Sequence, residues 1–304
     1  MAAALRVGTR GSALALAQTT SVAAALTAKS GVECEIIPIS TEGDKSSESL
    51  ATLGGTGVFA SALREALHDG RCDLVVHSLK DLPTAPEPGL TIAAIPRRVD
   101  ARDALCASDG LTLDTLPQGA RVGTGSPRRV AQLRARRPDL DVIDIRGNVD
   151  TRLRTVVDGD LDAVVLAAAG LNRLGRLDAI TEYLGLDGWP TAPGQGALAL
   201  EVRAGDEKLV KALDHATSRI IVEAERAVLS ILEAGCSAPV GAHGVMDDGM
   251  LFLSARVYSV DGAQRLTSSH ALYVSDTRDP AGDIAARVGR ELFDLGAAAL
   301  MGAS

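Results

Sequence analysis

Apolar residues recur along this chain in two rhythms, and each change of rhythm marks an element. Short runs such as Leu5-Arg6-Val7-Gly8-Thr9, Leu74-Val75-Val76, Asp141-Val142-Ile143-Asp144-Ile145 and Ala197-Leu198-Ala199-Leu200-Glu201-Val202 have the length and composition of strands. Between them, apolar positions return at helical spacing. Ser12 has the chemistry of an N-cap and precedes an Ala/Leu-rich helix over Ala13 to Thr27. Ser126 and Pro127 open another helix, which Pro138 stops. A third runs from Arg219 to Ala234, with Ile220, Ala224, Val228 and Ile231 on its apolar face. Gly235 is expected to end it, because glycine enters the left-handed conformation without steric cost, and Pro239 cannot continue a helix.

Strands alternating with helices through the first two thirds predict α/β layers with parallel sheets. Two stretches recur in order: Arg6-Val7-Gly8-Thr9 as Arg121-Val122-Gly123-Thr124, and Asp69-Gly70 leading into Leu74-Val75-Val76 as Asp158-Gly159 leading into Ala163-Val164-Val165. Two lobes of similar build follow. The chain crosses between them through Pro96 to Asp103 and back near Gly188 to Gly196, which predicts a hinge, with the strand Ala197 to Val202 rejoining the first lobe. After Arg219 the order becomes helix, three strands and helix. Asp248-Gly249 and Asp261-Gly262 mark tight antiparallel turns, and Ile284, Val288 and Leu292 line a closing helix. The expected fold is therefore α/β: two similar doubly wound lobes around a hinged cleft, plus a small α+β third domain. The boundaries are 1–96 with 195–217 for the first lobe, 101–192 for the second, and 218–304 for the third domain. A ligand cleft is expected between the lobes, at the carboxyl ends of the strands.

A length of 304 residues suits two or three domains. The formal charge of −8 and an aromatic content of 2% disfavour a nucleic-acid or anionic-membrane partner. No apolar run reaches the ~20 residues that span a bilayer. The apolar start of the first helix resembles a short signal core, but its N-cap and preceding strand favour a folded element and a cytoplasmic protein. Cys34, Cys72 and Cys106 fall in or beside strands, as small apolar residues do. Without a CxxC pair or clustered histidines, neither a disulfide framework nor a metal site is expected. Cys236 is different, because it sits on the loop after the third helix. The negative end of that helix raises a thiol pKa, which argues against a nucleophile acting on every turnover. A plain surface thiol and a specific role both remain open on spacing alone.

Between Arg121 and Arg154 lie nine arginines and no lysine against four aspartates. Arg134, Arg136 and Arg137 come near a helix C-terminus, where positive charge is favourable. Arg128 and Arg129 come at a helix N-terminus, where the dipole opposes them, so they call for an anion. Arg146 ends a strand and Arg152 follows a turn into the next helix; Arg10 and Ser12 occupy the corresponding turn of the first lobe. A polycarboxylate or phosphate ligand fits such donors. Gly54-Gly55-Thr56-Gly57 lacks the Lys-Ser/Thr ending of a P-loop and reads as a mobile lid. His77-Ser78-Leu79-Lys80-Asp81-Leu82-Pro83 follows a strand and puts Lys80 and Asp81 at the cleft mouth, as site residues or as an ordinary loop ion pair.

Taken in order, RGSALALAQ at Arg10 to Gln18, HSLKDLP at His77 to Pro83, GTGSPRR at Gly123 to Arg129, RGNVDTRL at Arg146 to Leu153, AGLNRLG at Ala169 to Gly175, PGQGAL at Pro193 to Leu198 and GCSAPVGA at Gly235 to Ala242 closely resemble the porphobilinogen deaminase (hydroxymethylbilane synthase) family. The resemblance implies an enzyme that joins four porphobilinogen molecules head to tail, with loss of ammonia, into linear hydroxymethylbilane. It implies a dipyrromethane cofactor held through a thioether to Cys236, a periplasmic-binding-protein-like two-lobed architecture and a monomer. By matching motif it makes Asp81 the catalytic carboxylate. Lys80, Asp81, Thr124, Ser126, Arg128, Arg129, Gln195 and Asp44 fall to the cofactor, and Arg10, Ser12, Phe59, Arg146, Arg152 and Arg173 to the substrate. Two positions depart from the family pattern: Thr56 stands where many relatives carry lysine, and Gly125 where many carry serine. A non-catalytic two-lobed anion-binding or effector-sensing protein would share the fold and the arginines but would not need Cys236 or Asp81.

Overall fold

The computed structural model describes residues 4–40, 57–234 and 238–301. The chain forms two units, Met1–Val99 with Gly196–Arg219, and Asp100–Gln195 with Ile220–Ser304.

In the first unit, β1 (Leu5–Arg10), α1 (Ala13–Ser30), β2 (Cys34–Ile39), α2 (Gly57–His68), β3 (Leu74–Ser78) and β4 (Leu90–Ala94) are joined by β10 (Leu198–Arg203). The sheet order is β2-β1-β3-β10-β4. Side chains alternate across a strand, so β3 feeds two cores: Leu74 and Val76 pack with Val22 and Leu26 of α1, while Val75 packs with Leu63 and Leu67 of α2. Ser12 caps α1 as expected, its Oγ accepting from the Ala15 amide at 3.3 Å.

The second unit repeats the plan. It contains β5 (Asp103–Ala107), β6 (Arg121–Gly123), α3 (Pro127–Arg136), β7 (Asp141–Ile143), α4 (Val149–Val157), β8 (Ala163–Ala167), α5 (Ala168–Arg173) and β9 (Glu182–Leu184). Their order is β7-β6-β8-β5-β9. The recurring Arg-Val-Gly-Thr stretches occupy β1 and β6, and the second pair of repeats leads into β3 and β8, so the internal repeat is structural. The sheets are mixed, however, and not wholly parallel. β1 runs parallel to β2 and β3, and β6 to β7 and β8, but β10 lies antiparallel to β3 and β4, and β5 antiparallel to β8 and β9. In each sheet the reversed strand is the one that follows a crossing segment, outside the strand–helix–strand run that makes its neighbours parallel.

The second unit also holds a three-stranded antiparallel sheet of β11 (Val240–Asp247), β12 (Met250–Tyr258) and β13 (Arg265–Tyr273). Asp248 and Gly249 form its two-residue turn with φ of 43° and 73°, the positive pair of a type I′ hairpin. Ile284, Val288 and Leu292 of α7 (Pro280–Asp294) pack on Leu253 and on Ala224 and Val228 of α6 (Ala216–Ile231). The end of α6 differs from the sequence expectation. The left-handed residue is Glu233, with φ of 49°, because its amide reaches Ser230 O at 3.1 Å and that of Ala234 reaches Leu229 O at 3.0 Å. These two bonds make a Schellman motif. Gly235, expected to be the stop, lies outside the described residues with Cys236 and Ser237. Among the described residues no helix is long and apolar enough to cross a membrane, and no cluster of His, Cys, Asp and Glu is placed to hold a metal.

Candidate active site

In the first unit two strand ends converge. β1 ends at Arg10, and β3 ends at Ser78 before a 3₁₀ turn over Leu79–Asp81. The Leu79 amide donates to Ala197 O at 3.1 Å, and the Leu82 amide closes the turn on Leu79 O at 3.2 Å. Arg10, Gln18, His77, Ser78 and Asp81 line one recess of about 40 Å³. Arg10 and Asp81, assigned from separate motifs, thus share a wall. Ser12 spends its hydroxyl on the α1 cap, and Lys80 occupies the centre of the 3₁₀ turn. Phe59 belongs to the first turn of α2, while Asp44 and Thr56 lie outside the described residues.

In the second unit Ser126 precedes α3 with Pro127 in its first turn, but its hydroxyl makes no cap bond. The anion that Arg128 and Arg129 require is partly supplied by the chain itself. Asp103, fully buried at the start of β5, accepts from Arg128 Nη2 at 2.9 Å and Arg129 Nη2 at 2.6 Å. It also accepts from Trp189 Nε1 at 2.9 Å and Gln195 Nε2 at 2.8 Å. Burial alone would raise the Asp103 pKa, but the two guanidinium charges and the bonds from Arg129 and Gln195 hold it well below the carboxylate range. Burial draws the Arg128 pKa down against the pull of Asp103. Among the described residues two cations therefore share one anion, at 3% and 5% exposure, and a buried positive charge is left over. Arg128 Nε and Arg129 Nε are buried without a hydrogen-bond partner among the described residues.

The other assigned residues surround this centre in different ways. Thr124 is fully buried, and its Oγ1 accepts from the Ser126 amide at 3.3 Å. Gln195 donates to Ala101 O as well as to Asp103, so it acts on the arginines through the carboxylate. Arg146 Nε is buried without a hydrogen-bond partner among the described residues, and forms an ion pair with Asp144 Oδ2 at 3.9 Å. Arg152 Nε donates to Gly147 O at 2.9 Å. Arg173 ends α5, where burial lowers its pKa to about 10, so it stays cationic at neutral pH. A Cβ at Gly125 would lie 2.6 Å from Ile145 O, so serine there requires a backbone shift as well as adding a hydroxyl.

Arg136 pairs with Asp114 and Arg137 with Asp139, which agrees with the structural role expected for the end of α3. Asp103, Trp189, His77 and Glu201 were not assigned from sequence. Asp103 stands in a segment that reads as a crossing, and the arginines it serves are 25 and 26 residues away. The one legible hint was an acidic residue opening the apolar run Ala104-Leu105-Cys106.

A donor set of buried guanidinium Nε–H groups with surplus positive charge fits a ligand carrying several carboxylates. Comparison with known proteins bears on what that ligand is. The family model described as porphobilinogen deaminase, dipyromethane cofactor binding domain, matches residues 5–211, and that of the porphobilinogen deaminase C-terminal domain matches 220–294. The porphobilinogen deaminase of Leifsonia xyli is 62% identical over 98% of this chain and 94% of its own length. That of Mycobacterium marinum is 52% identical over 98% and 96%. Among solved structures, a periplasmic substrate-binding protein of an ABC transporter from Coxiella burnetii aligns with a TM-score of 0.44 at 16% identity, over 69% of this chain and 91% of its own.

Proposed function

The chain belongs to the porphobilinogen deaminase family, and from that premise we propose that it condenses four porphobilinogen molecules head to tail, releasing ammonia, into the linear tetrapyrrole hydroxymethylbilane. The observation that carries this reading is the buried arginine pair on Asp103. It retains, among the described residues, a surplus charge and two unpartnered Nε–H groups, in a region matched by a cofactor-binding model. A dipyrromethane joined by a thioether to Cys236 would bring carboxylates to Arg128, Arg129, Ser126 and Lys80. When bound, it supplies a fixed pyrrole primer for chain growth. A tether need react only once, which suits a thiol at the unfavourable end of a helix.

The remaining roles belong to the protein's own residues. Breaking the aminomethyl C–N bond of porphobilinogen sends the electron pair off with ammonia and leaves positive charge on the substrate. Asp81 stabilises that charge in a partly desolvated recess, where a preoriented carboxylate acts more strongly than in water. Arg10 on the same wall takes a substrate carboxylate, with Arg146, Arg152 and Arg173 serving the other carboxylates and the growing chain. Thr124 orders the Ser126 backbone, and Gln195 holds Asp103. Asp44 acts from the segment ahead of α2 and Phe59 from its first turn. The reading includes lobes at 1–96 with 195–217 and at 101–192, a third domain at 218–304, and a cytoplasmic monomer.

Intact-mass measurement tests it. The purified protein should carry a two-pyrrole adduct, absent in Cys236→Ala, whereas a fully active unmodified chain would overturn the assignment. On the same instrument Asp81→Asn should keep the adduct while turnover falls by about 10²–10³-fold, the usual range for losing a group that stabilises transition-state charge.

A further inference from the structure

A buried charged line runs through the first unit outside the residues assigned above. In β10, Glu201 is 2% exposed, and in β3, His77 is 7% exposed. The two strands are antiparallel neighbours, with Ala199 opposite His77 and Glu201 opposite Val75. Glu201 is two residues from Ala199 and so shares the face of His77, within diagonal reach. His77 Nε2 lies 3.0 Å from Glu201 Oε2. Arg64 of α2 donates to the same carboxylate through Nε at 3.1 and 3.2 Å and through Nη2 at 2.9 Å, and its Nη1 reaches Glu87 at 3.1 Å. Burial would raise the Glu201 pKa, but the His77 and Arg64 hydrogen bonds lower it, so Glu201 is ionised. A carboxylate only accepts, and the ring therefore presents Nε2–H to it.

Ser78 follows His77 and faces the other side of the sheet. There the Gln18 amide and the Ser78 hydroxyl are paired at 3.0 and 3.2 Å. The last two residues of β3 are thus gripped from opposite faces, immediately before the 3₁₀ turn that carries Lys80 and Asp81. Resting on the proposed function, we infer that His77, locked by the Glu201 carboxylate that Arg64 fixes, is a positioning residue: it holds the end of β3 so that Asp81 faces the positive charge that develops on the substrate. An ordinary sheet residue at position 77 could fill the volume but could not pin the strand end to β10 and α2. Misplacing a reacting group by about 1 Å costs on the order of 10²-fold in rate.

The test uses the cofactor-loaded enzyme and three variants. His77→Leu fills the site without a donor, His77→Gln restores an N–H close to the position of Nε2, and His77→Ala can be supplemented with free imidazole. Wild-type protein that neither carries the adduct nor forms a linear tetrapyrrole overturns the functional reading, independently of this one. With wild type active, His77→Leu should keep its adduct and its KM for porphobilinogen while kcat falls about 100-fold. Amide exchange over Ser78 to Leu82 should accelerate in parallel. His77→Gln should regain most of both. If His77→Leu does not fold, imidazole should restore kcat and protection to His77→Ala. Unchanged kcat, an effect on KM alone, unchanged exchange over Ser78 to Leu82, or equal losses in His77→Leu and His77→Gln would each overturn the inference. So would an imidazole-insensitive His77→Ala.

Discussion

Two guanidinium groups buried around one carboxylate make the loss of Asp103 costly to the second unit. Removing one partner of a buried ion pair costs about 3–5 kcal/mol, because the remaining charge stays desolvated. Asp103→Asn should lower stability in urea unfolding by that amount; a loss under about 1 kcal/mol would mean that the arginines relax into water. The acid limb gives a second reading. The folded-state pKa of Asp103 lies below its unfolded value of about 3.9, so its contribution is present above that pH and is lost as pH falls toward the folded pKa. Wild type should therefore lose stability from about pH 5 downward more steeply than Asp103→Asn, whose position 103 does not titrate. The arginines were legible in the sequence as cations at the wrong end of a helix. Their partner was not, because no local rule pairs residues some 25 positions apart.

At the scale of the element, local physics was a good guide where one residue dictates one geometry. Ser12 caps α1, Asp248-Gly249 turns the hairpin, and Ile284, Val288 and Leu292 face inward on α7. It was a poorer guide at the end of α6, where the glycine signal pointed past the actual stop. Leu232, 2% exposed, is held in the core, and the Schellman bonds close on the next two residues, so Glu233 takes a conformation that costs a non-glycine residue about 1 kcal/mol or more. Glu233→Gly should stabilise the protein in thermal unfolding by up to about 1 kcal/mol, the left-handed strain of about 1–2 kcal/mol that it relieves less the roughly 0.5–1 kcal/mol of extra conformational entropy that glycine loses on folding. A destabilisation would show that the Glu233 side chain does more than tolerate its backbone.

At the scale of the molecule, the repeat of strand orders explains how one chain offers comparable strand-to-helix turns at Arg10-Gly11-Ser12 and Gly125-Ser126-Pro127. Both turns sit at carboxyl ends of parallel strands, the usual place for a ligand in an open α/β sheet. Among the described residues Asp103 alone pairs with both Arg128 and Arg129, and a bound anion would offset the charge that remains. Cofactor-loaded protein should therefore melt above cofactor-free protein, by an amount that shrinks as the arginines are removed. Equal melting temperatures in calorimetry would detach the cluster from the cofactor.

The sequence by itself determined the periodicities, the caps and tight turns, the repeated halves and the motif set that points to the family, because each depends on residues within a few positions or on ordered similarity. Tertiary structure alone decided which strand runs antiparallel in each sheet, that Asp103 serves Arg128 and Arg129, and that Glu201 reaches His77. Those outcomes depend on which distant segments become neighbours once both faces of a sheet must be covered. In that dry setting a carboxylate left without donors would be too costly to keep.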